Sequence, residues 1–436
     1  MLLITIDTVR ADRVGAHGFA QAHTPTIDRL AAEGARFARA ICQLPQTNAS
    51  HAALLTGLYP STNGVKVHMV DRLRPGTQTL AKVFAAAGYR TAGIYSWVSL
   101  DPQFCGLDQG FQTYEGYVVN RTGVFANQQL EGLAALYRQL KDKVSVVRTA
   151  DAMLGQSDKY EEMMDGRADV TTAAVLAWLD GYTAPDPFFL WVHYFDPHYP
   201  YSPPPPYDHV LGLQYGGKID GSLETVHKLQ QGQLQVTDAD RARLLELYQG
   251  EIAFADAQVG GVLDALRRRG LEDDTVVLVT SDHGESFGEH GDWTHGSKLY
   301  ESEIHVPLVI RYPPAIPAGV VVDAPAQLID VMPTLLDLVG LRPPQPVQGT
   351  SLLPLVSRAD DGSGRYAFAE LADEAFVSLV TSGWVLIRNN ANGELQLYNL
   401  RDDGGEQSNL ARSQQSVAGE LNARLGDLMK LSGVSR

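Results

Sequence analysis

Three apolar runs, each ending on side chains that carry chemistry, constrain this chain most. Leu2 to Ile6, Phe188 to Phe195 and Thr275 to Thr280 have the near-continuous hydrophobicity of strands covered on both faces. Asp7 follows the first run, Asp196-Pro197-His198 the second, and Ser281-Asp282-His283-Gly284 the third. Segments with helical periodicity separate them. Thr24 and Pro25 open one as N-cap and first helical residue, and Gly34 stops it. Asp238 to Arg269 is the longest, with Leu244, Leu245, Leu247, Tyr248 and Ile252 on its buried side. Alternating strands and helices predict an α/β fold, a large mostly parallel sheet with helices on both faces. In such sheets ligands collect beyond the carboxyl ends of the strands. Asp7, His198, Asp282 and His283 are therefore expected along one edge.

The run Thr47-Asn48-Ala49-Ser50-His51-Ala52-Ala53-Leu54-Leu55-Thr56-Gly57 reads as a loop that becomes a helix, with a hydroxyl at its entry. Free backbone N–H groups and the positive end of the helix dipole make that entry a place to hold an anion, or to attack one. Further helices are expected over Thr77–Ala87, Asn127–Lys143 (in an insertion), Asp169–Tyr182 and Asp330–Val339, and strands over Arg90–Tyr95 and Val306–Tyr312. Pro203 to Pro206 forms a stiff loop at the rim of the site. After Pro346 the pattern changes to four short strands, with Asn392-Gly393 as a hairpin signal, and a closing helix from Ala418 to Leu431. This predicts a catalytic domain over 1–345 and a small antiparallel sheet with one helix over 346–436.

With 35 basic against 51 acidic side chains, the formal charge is -16. Such a surface repels polyanions, so nucleic acid is not an expected partner, whereas a small anionic ester drawn into a locally positive site is. Two cysteines, Cys42 and Cys105, make neither a disulfide framework nor a thiolate cluster. No apolar run is long enough for an integral membrane segment. No secretory leader is expected from the stretch that starts at Met1, and a cytoplasmic and a trimmed periplasmic location both stay open, as does the oligomeric state.

Asp7, Asp282 and His283, with the hydroxyl of Thr47, supply two carboxylates, one imidazole and one oxygen that can ionise. This donor set suits one divalent ion, Zn²⁺ or Mn²⁺ better than Ca²⁺, which prefers all-oxygen shells. A cation lowers the pKa of a hydroxyl and makes it a nucleophile. His295 and Lys298, in Thr294-His295-Gly296-Ser297-Lys298, and His198 offer donors for a tetrahedral anion and a proton for a leaving alcohol. His51 lies one helical turn after Thr47 and is placed to orient the hydroxyl or touch the anion. Lys66 and His68 could also approach the site, but a plain surface role is the expectation for both.

Several blocks resemble the sulfatase family of the alkaline phosphatase superfamily, over nearly the whole chain. Ile4 to Asp12 is similar to the family's opening strand, and Ser50 to Pro60 to its nucleophile helix. Phe195-Asp196-Pro197-His198, Ser281 to Glu285, Lys298 to Pro307, and Leu397 to Leu400 with Glu406 and Asn409-Leu410-Ala411 match further blocks. The resemblance implies an alkaline-phosphatase-like sandwich and a metal-dependent ester hydrolase.

The departures bear on the substrate. Family members of the usual kind carry Cys or Ser where Thr47 stands, convert it to formylglycine, and follow it with Pro and Arg where Ala49 and His51 stand. Threonine cannot become formylglycine. Thr8 replaces the second Asp of the opening pair, Asp282-His283 stands for an Asp-Asn pair, and Ile94-Tyr95-Ser96-Trp97 replaces a Lys-Trp-His block. These changes resemble the Thr-nucleophile branch, with its phosphodiesterases, phosphonate hydrolases and phosphoalcohol transferases. The expectation is hydrolysis of phosphate or phosphonate esters. The alternatives are a sulfatase working without formylglycine, a transferase, and a non-catalytic binding protein.

Overall fold

The computed structural model describes residues 1–117, 119–120, 123–124, 166–183 and 186–434. The helix expected over Asn127–Lys143 lies outside them. Eight strands form the central sheet: β1 (Leu2–Ile6), β2 (Ala35–Phe37), β3 (Arg90–Tyr95), β4 (Thr113–Gly116), β5 (Phe188–Tyr194), β6 (Val277–Ser281), β7 (Leu308–Arg311) and β8 (Val320–Val322). Their spatial order is β8-β2-β7-β6-β1-β5-β3-β4. Only β7 runs antiparallel to its neighbours. Register sets the site: Ile6 lies opposite Tyr194 on one side and Ser281 on the other, so Asp7, Phe195 and Asp282 leave the sheet at one level.

Alternate residues of each central strand enter two different cores, as the period of two requires. Leu2, Ile4 and Ile6 pack beneath α1 (Pro25–Glu33), α4 (Ala168–Gly181) and the 31-residue α5 (Asp238–Arg268). Leu3, Trp191 and Leu278 face α2 (Thr47–Thr56), α3 (Leu80–Ala86) and α6 (Val331–Leu338). A capping box of Thr237 and Asp240 starts α5. Every residue of α2 is buried. Ala49, Ala52 and Ala53 keep its surface small enough to fit between the sheet and the C-terminal strands. Gly57, at φ 66°, ends it in a left-handed turn.

The C-terminal strands β9 (Ala367–Glu370), β10 (Phe376–Val380), β11 (Trp384–Asn389) and β12 (Leu395–Asn399) form an antiparallel sheet in chain order. One face packs on α7 (Gln415–Ser432) through Leu421, Leu425 and Leu428. The other face joins the core beneath α2 and α6. The expected α/β fold, a mostly parallel sheet flanked by helices with a small C-terminal antiparallel sheet, is the one observed. The short strands β2, β4 and β8 were not among those expected.

Candidate active site

Asp7 emerges from β1 with its amide bound to the Tyr194 carbonyl at 2.8 Å. Next to it, Thr8 takes φ 55° and turns its N–H to Asp282 Oδ1 at 3.2 Å. The Val9 N–H reaches Ser281 Oγ at 2.8 Å, and that hydroxyl donates to the His283 carbonyl at 2.7 Å. The ends of β1 and β6 are thus knotted together by short polar contacts. On the far side, Ser50 of α2 donates to the Asp282 carbonyl at 2.6 Å, which fixes the helix start against the same strand end.

The result is one cluster. His283 Nε2 lies 3.4 Å from Thr47 Oγ1, 3.4 Å from Asp282 Oδ2 and 3.7 Å from Asp7 Oδ1. Its Nδ1 faces the Gly284 carbonyl at 3.0 Å, a pure acceptor, so Nδ1 carries the proton and Nε2 presents a lone pair. Asp7 is fully buried, and among the described residues neither of its carboxylate oxygens has a well-aligned hydrogen-bond partner; Asp282 Oδ2 likewise has none. Burial, then the charge of Asp282, pushes the Asp7 carboxyl well above the ordinary range. Burial also works to raise Asp282, but His283, then His51 and His193, hold it below its usual value. Buried carboxylates with open lone pairs around a free imidazole nitrogen are the donor chemistry of a divalent cation, so the residues present fit one.

Thr47 is the first helical residue of α2, with Gln46 as the N-cap. His51 does not touch the Thr47 hydroxyl. Its Nδ1 lies 2.6 Å from the Thr47 carbonyl, and its Nε2 lies 2.9 Å from Thr5 Oγ1. His198 and His295 come together over the cluster. The His295 ring sits 4.2 Å from that of His283 and 5.1 Å from that of His198, centroid to centroid. His295 Nδ1 pairs with Glu285 Oε1 at 2.9 Å, and the Tyr201 hydroxyl donates to the other Glu285 oxygen at 3.0 Å. Burial drives both members of this pair toward neutrality, His295 down and Glu285 up. His198, stacked on Phe195, is drawn down to about 3 by burial.

Lys298 is half-buried. Its backbone N–H binds Glu303 Oε2 at 3.3 Å, while among the described residues its ammonium forms no hydrogen bond or ion pair. Glu303 also binds the Gly296 N–H at 2.8 Å, so it shapes the loop that carries His295. Lys66 lies elsewhere, paired with Glu374.

Two residues at the site, Asn48 and His193, escape a reading of the sequence, and a third, His68, is nearer the site than the surface role expected of it. His68 is within electrostatic reach of His283, Asp282, His198 and His295, and burial draws it down to about 4. Asn48, next to Thr47, is fully buried, and among the described residues neither of its amide atoms is hydrogen-bonded. His193, inside β5, sits 3.3 Å from Asp7. The one signal for it was an ionisable side chain in an otherwise apolar strand.

A sulfatase family model matches residues 1–341, and a model for the C-terminal part of N-sulphoglucosamine sulphohydrolase matches 288–431. An arylsulfatase of Clostridium perfringens is 27% identical, over 95% of this chain and 90% of that protein. The multifunctional alkaline phosphatase superfamily protein PehA of Trinickia caryophylli is 26% identical, over 84% of this chain and 78% of its own. Among solved structures, the phosphonate monoester hydrolase of Agrobacterium radiobacter superposes with a TM-score of 0.75 at 23% identity, covering 99% of this chain and 95% of that one. Fold, site and relatives define a hydrolase of ester bonds, of the alkaline-phosphatase-like superfamily. Within that class, the chain belongs to the sulfatase family.

Proposed function

We propose that this protein hydrolyses small phosphate or phosphonate esters, with Thr47 as nucleophile and without formylglycine. The observation that carries the reading is the placement of a threonine hydroxyl at the head of α2, 3.4 Å from His283 Nε2 and beside two buried carboxylates. Asp7, Asp282 and His283, with Thr47, would hold one divalent ion, Zn²⁺ or Mn²⁺ by donor type. Such an ion lowers the pKa of the Thr47 hydroxyl and offsets charge developing on the substrate.

The Thr47 oxygen attacks phosphorus in line and the ester oxygen departs. The neutral Glu285 carboxyl passes that oxygen a proton through His295, whose ring stands over the cluster with the neutral His198 beside it. Glu285 aims His295 by holding its Nδ1. Lys298 is assigned to the substrate anion, reached by movement of its unanchored ammonium. Water then attacks the phospho-threonine, which returns the hydroxyl and releases the anion. His51 supports the sequence of steps by gripping the Thr47 carbonyl. Residues 1–345 form the catalytic unit in this reading. Residues 346–436 act as a subdomain that backs α2, supported by the core that Ala53 shares with Phe368 and Leu379.

A second reading is hydrolysis of sulfate esters without formylglycine, favoured by the match to the sulfatase model over 1–341. Chemistry weighs against it: a sulfated threonine lacks the elimination route that a formylglycine hydrate provides, whereas phospho-threonine hydrolyses in place. Purified protein is assayed with paired aryl sulfate, phosphate monoester, phosphodiester and phosphonate substrates, alongside metal analysis. Faster turnover of a phosphorus ester, lost by at least about 10³-fold in Thr47→Ala with the fold intact, is the expected result. Preference for the sulfate selects the second reading, and unchanged turnover in Thr47→Ala removes the nucleophile assignment.

A further inference from the structure

Behind the cation ligands, on the α2 side of the sheet, lies a second group of buried donors. His51, His193 and Asp282 bring one ligand-type atom each within 4.8 Å of one another. Taken as a list of residue types, this is a second cation site. The hydrogen bonds argue otherwise. The Trp191 indole N–H is a donor only, and it reaches Thr5 Oγ1 at 3.0 Å. The Thr5 oxygen accepts from Trp191, and its own hydrogen has two acceptors in reach, His51 Nε2 at 2.9 Å and the more distant Val192 carbonyl at 3.5 Å; the Thr47 carbonyl beside His51 Nδ1, a pure acceptor, decides for the nearer one. That leaves His51 Nδ1 as the protonated nitrogen, donating to the Thr47 carbonyl at 2.6 Å. His51 has no lone pair left for a cation.

His193 is in the opposite condition. It lies opposite Thr5 in the β1–β5 register, is fully buried, and among the described residues has neither ring nitrogen hydrogen-bonded. The Ser96 hydroxyl pins its carbonyl at 2.8 Å, and its ring stands edge-on to His51 with centroids 5.1 Å apart. Its Nε2 is 3.3 Å from Asp7 Oδ2. Asp7 Oδ1 is the oxygen nearest His283 Nε2, at 3.7 Å. The two Asp7 oxygens thus face different histidines, one across the cation cluster and one behind it. The His193–Asp7 pair is in contact without hydrogen-bond alignment, and a small rotation of the carboxylate completes the bond.

We infer that His193 is a positioning residue: its Nε2–H holds Asp7 Oδ2 from behind, so that Oδ1 is presented to a single cation shared with Asp282 and His283. The inference rests on the cation site proposed above. A neutral imidazole buried behind a carboxylate ligand fixes its rotation without adding a ligand or a charge. Partners of this kind change metal affinity by about 10- to 100-fold when removed.

The test measures Zn²⁺ affinity of the full chain by competition with a chromophoric chelator, Zn²⁺ stoichiometry, and the visible spectrum of the Co²⁺-loaded protein. Wild type binds one equivalent. His193→Phe binds Zn²⁺ about 10- to 100-fold more weakly with the Co²⁺ band in place, and His193→Gln, which keeps a donor, recovers most of the affinity. Should the Phe variant not fold, His193→Leu carries the same expectation. Asp282→Asn is the control and loses binding. If Asp282→Asn binds as wild type does, the cation site and this inference fall together. If Asp282→Asn loses binding but His193→Phe does not, the inference alone is overturned. Two equivalents in wild type with one lost in His193→Phe, or a shifted Co²⁺ band, would make His193 a ligand and also overturn it.

Discussion

Asp330 and Asp7 are both buried aspartates, yet their surroundings treat them differently. Beside α6, Asp330 Oδ2 accepts from the Gln327 N–H at 3.0 Å and the Arg365 guanidinium at 2.8 Å, and its Oδ1 accepts from the Thr350 N–H at 2.8 Å. It ties three separate segments into one corner. At the carboxyl edge of the sheet, among the described residues, Asp7 has no well-aligned hydrogen-bond donor, and Asp282 keeps one oxygen open. Buried polar groups in native proteins are nearly always satisfied, so the exceptions mark places arranged for something other than stability. The Asp330 corner is a structural device complete in itself; the Asp7 edge keeps open donor atoms of the kind that fit a cation. Substitutions at the two places should therefore differ in what they damage.

The largest effect expected is on turnover. Asp282→Asn should lower kcat/KM for the preferred ester by at least about 10³-fold, about 4 kcal/mol of barrier, with the circular dichroism of the wild type. Activity within tenfold of wild type would break the comparison at its functional end. Asp330→Ala should do the reverse. It removes the charge partner of Arg365, whose guanidinium keeps the Pro325 carbonyl and Thr350 Oγ1, and strands two N–H groups, and should cost about 3 kcal/mol in urea unfolding at pH 7 while the folded fraction turns over normally.

How much of this was legible in the sequence depended on local pattern. The meeting of Asp7, Asp282 and His283 follows from two of the apolar runs, whose hydrophobicity left only one place, the strand ends, for what came next. The helix at Thr47 was legible from its small apolar residues and the Gly57 stop. Strands β2 and β8 span three residues each, too short for a period to register, and no local rule makes β7 run against its neighbours. His193 was hidden because a strand alternates faces: only the fold decides that its face is the one beneath α2. His68 stands in a turn whose return to the site depends on distant packing, and Lys298 belongs to a loop shaped by Glu303 from across a turn.

The contrast extends to protons. Burial draws His198 down to about 3, against 6.5 in an unfolded chain. Between those values the unfolded chain binds a proton that the native state does not. The stability contributed by neutral His198 is thus present above pH 6.5 and lost as pH falls toward 3. His198→Gln should remove on the order of 2 kcal/mol of the stability change between about pH 7 and about pH 4.5, in unfolding experiments with chelator present. An unaltered pH dependence would show that His198 is not held neutral in the native chain.

The smallest effect is the most diagnostic, because its sign is opposite to that of an ordinary core substitution. In metal-free protein, Asp7 bears a burial cost and faces the charge of Asp282, against which His283 and the looser contacts of Thr47 and Thr8 weigh less. An asparagine in its place would have nearly the same shape, no charge to desolvate, and an amide able to donate toward the open Asp282 oxygen. Asp7→Asn should therefore raise the urea midpoint of the metal-free chain, by about 1 kcal/mol in stability, while the stabilisation gained on adding Zn²⁺ disappears. Loss of stability in the metal-free variant would mean that Asp7 already has its partners within the chain, as Asp330 does. The distinction between the two aspartates would then fail where it is most exposed.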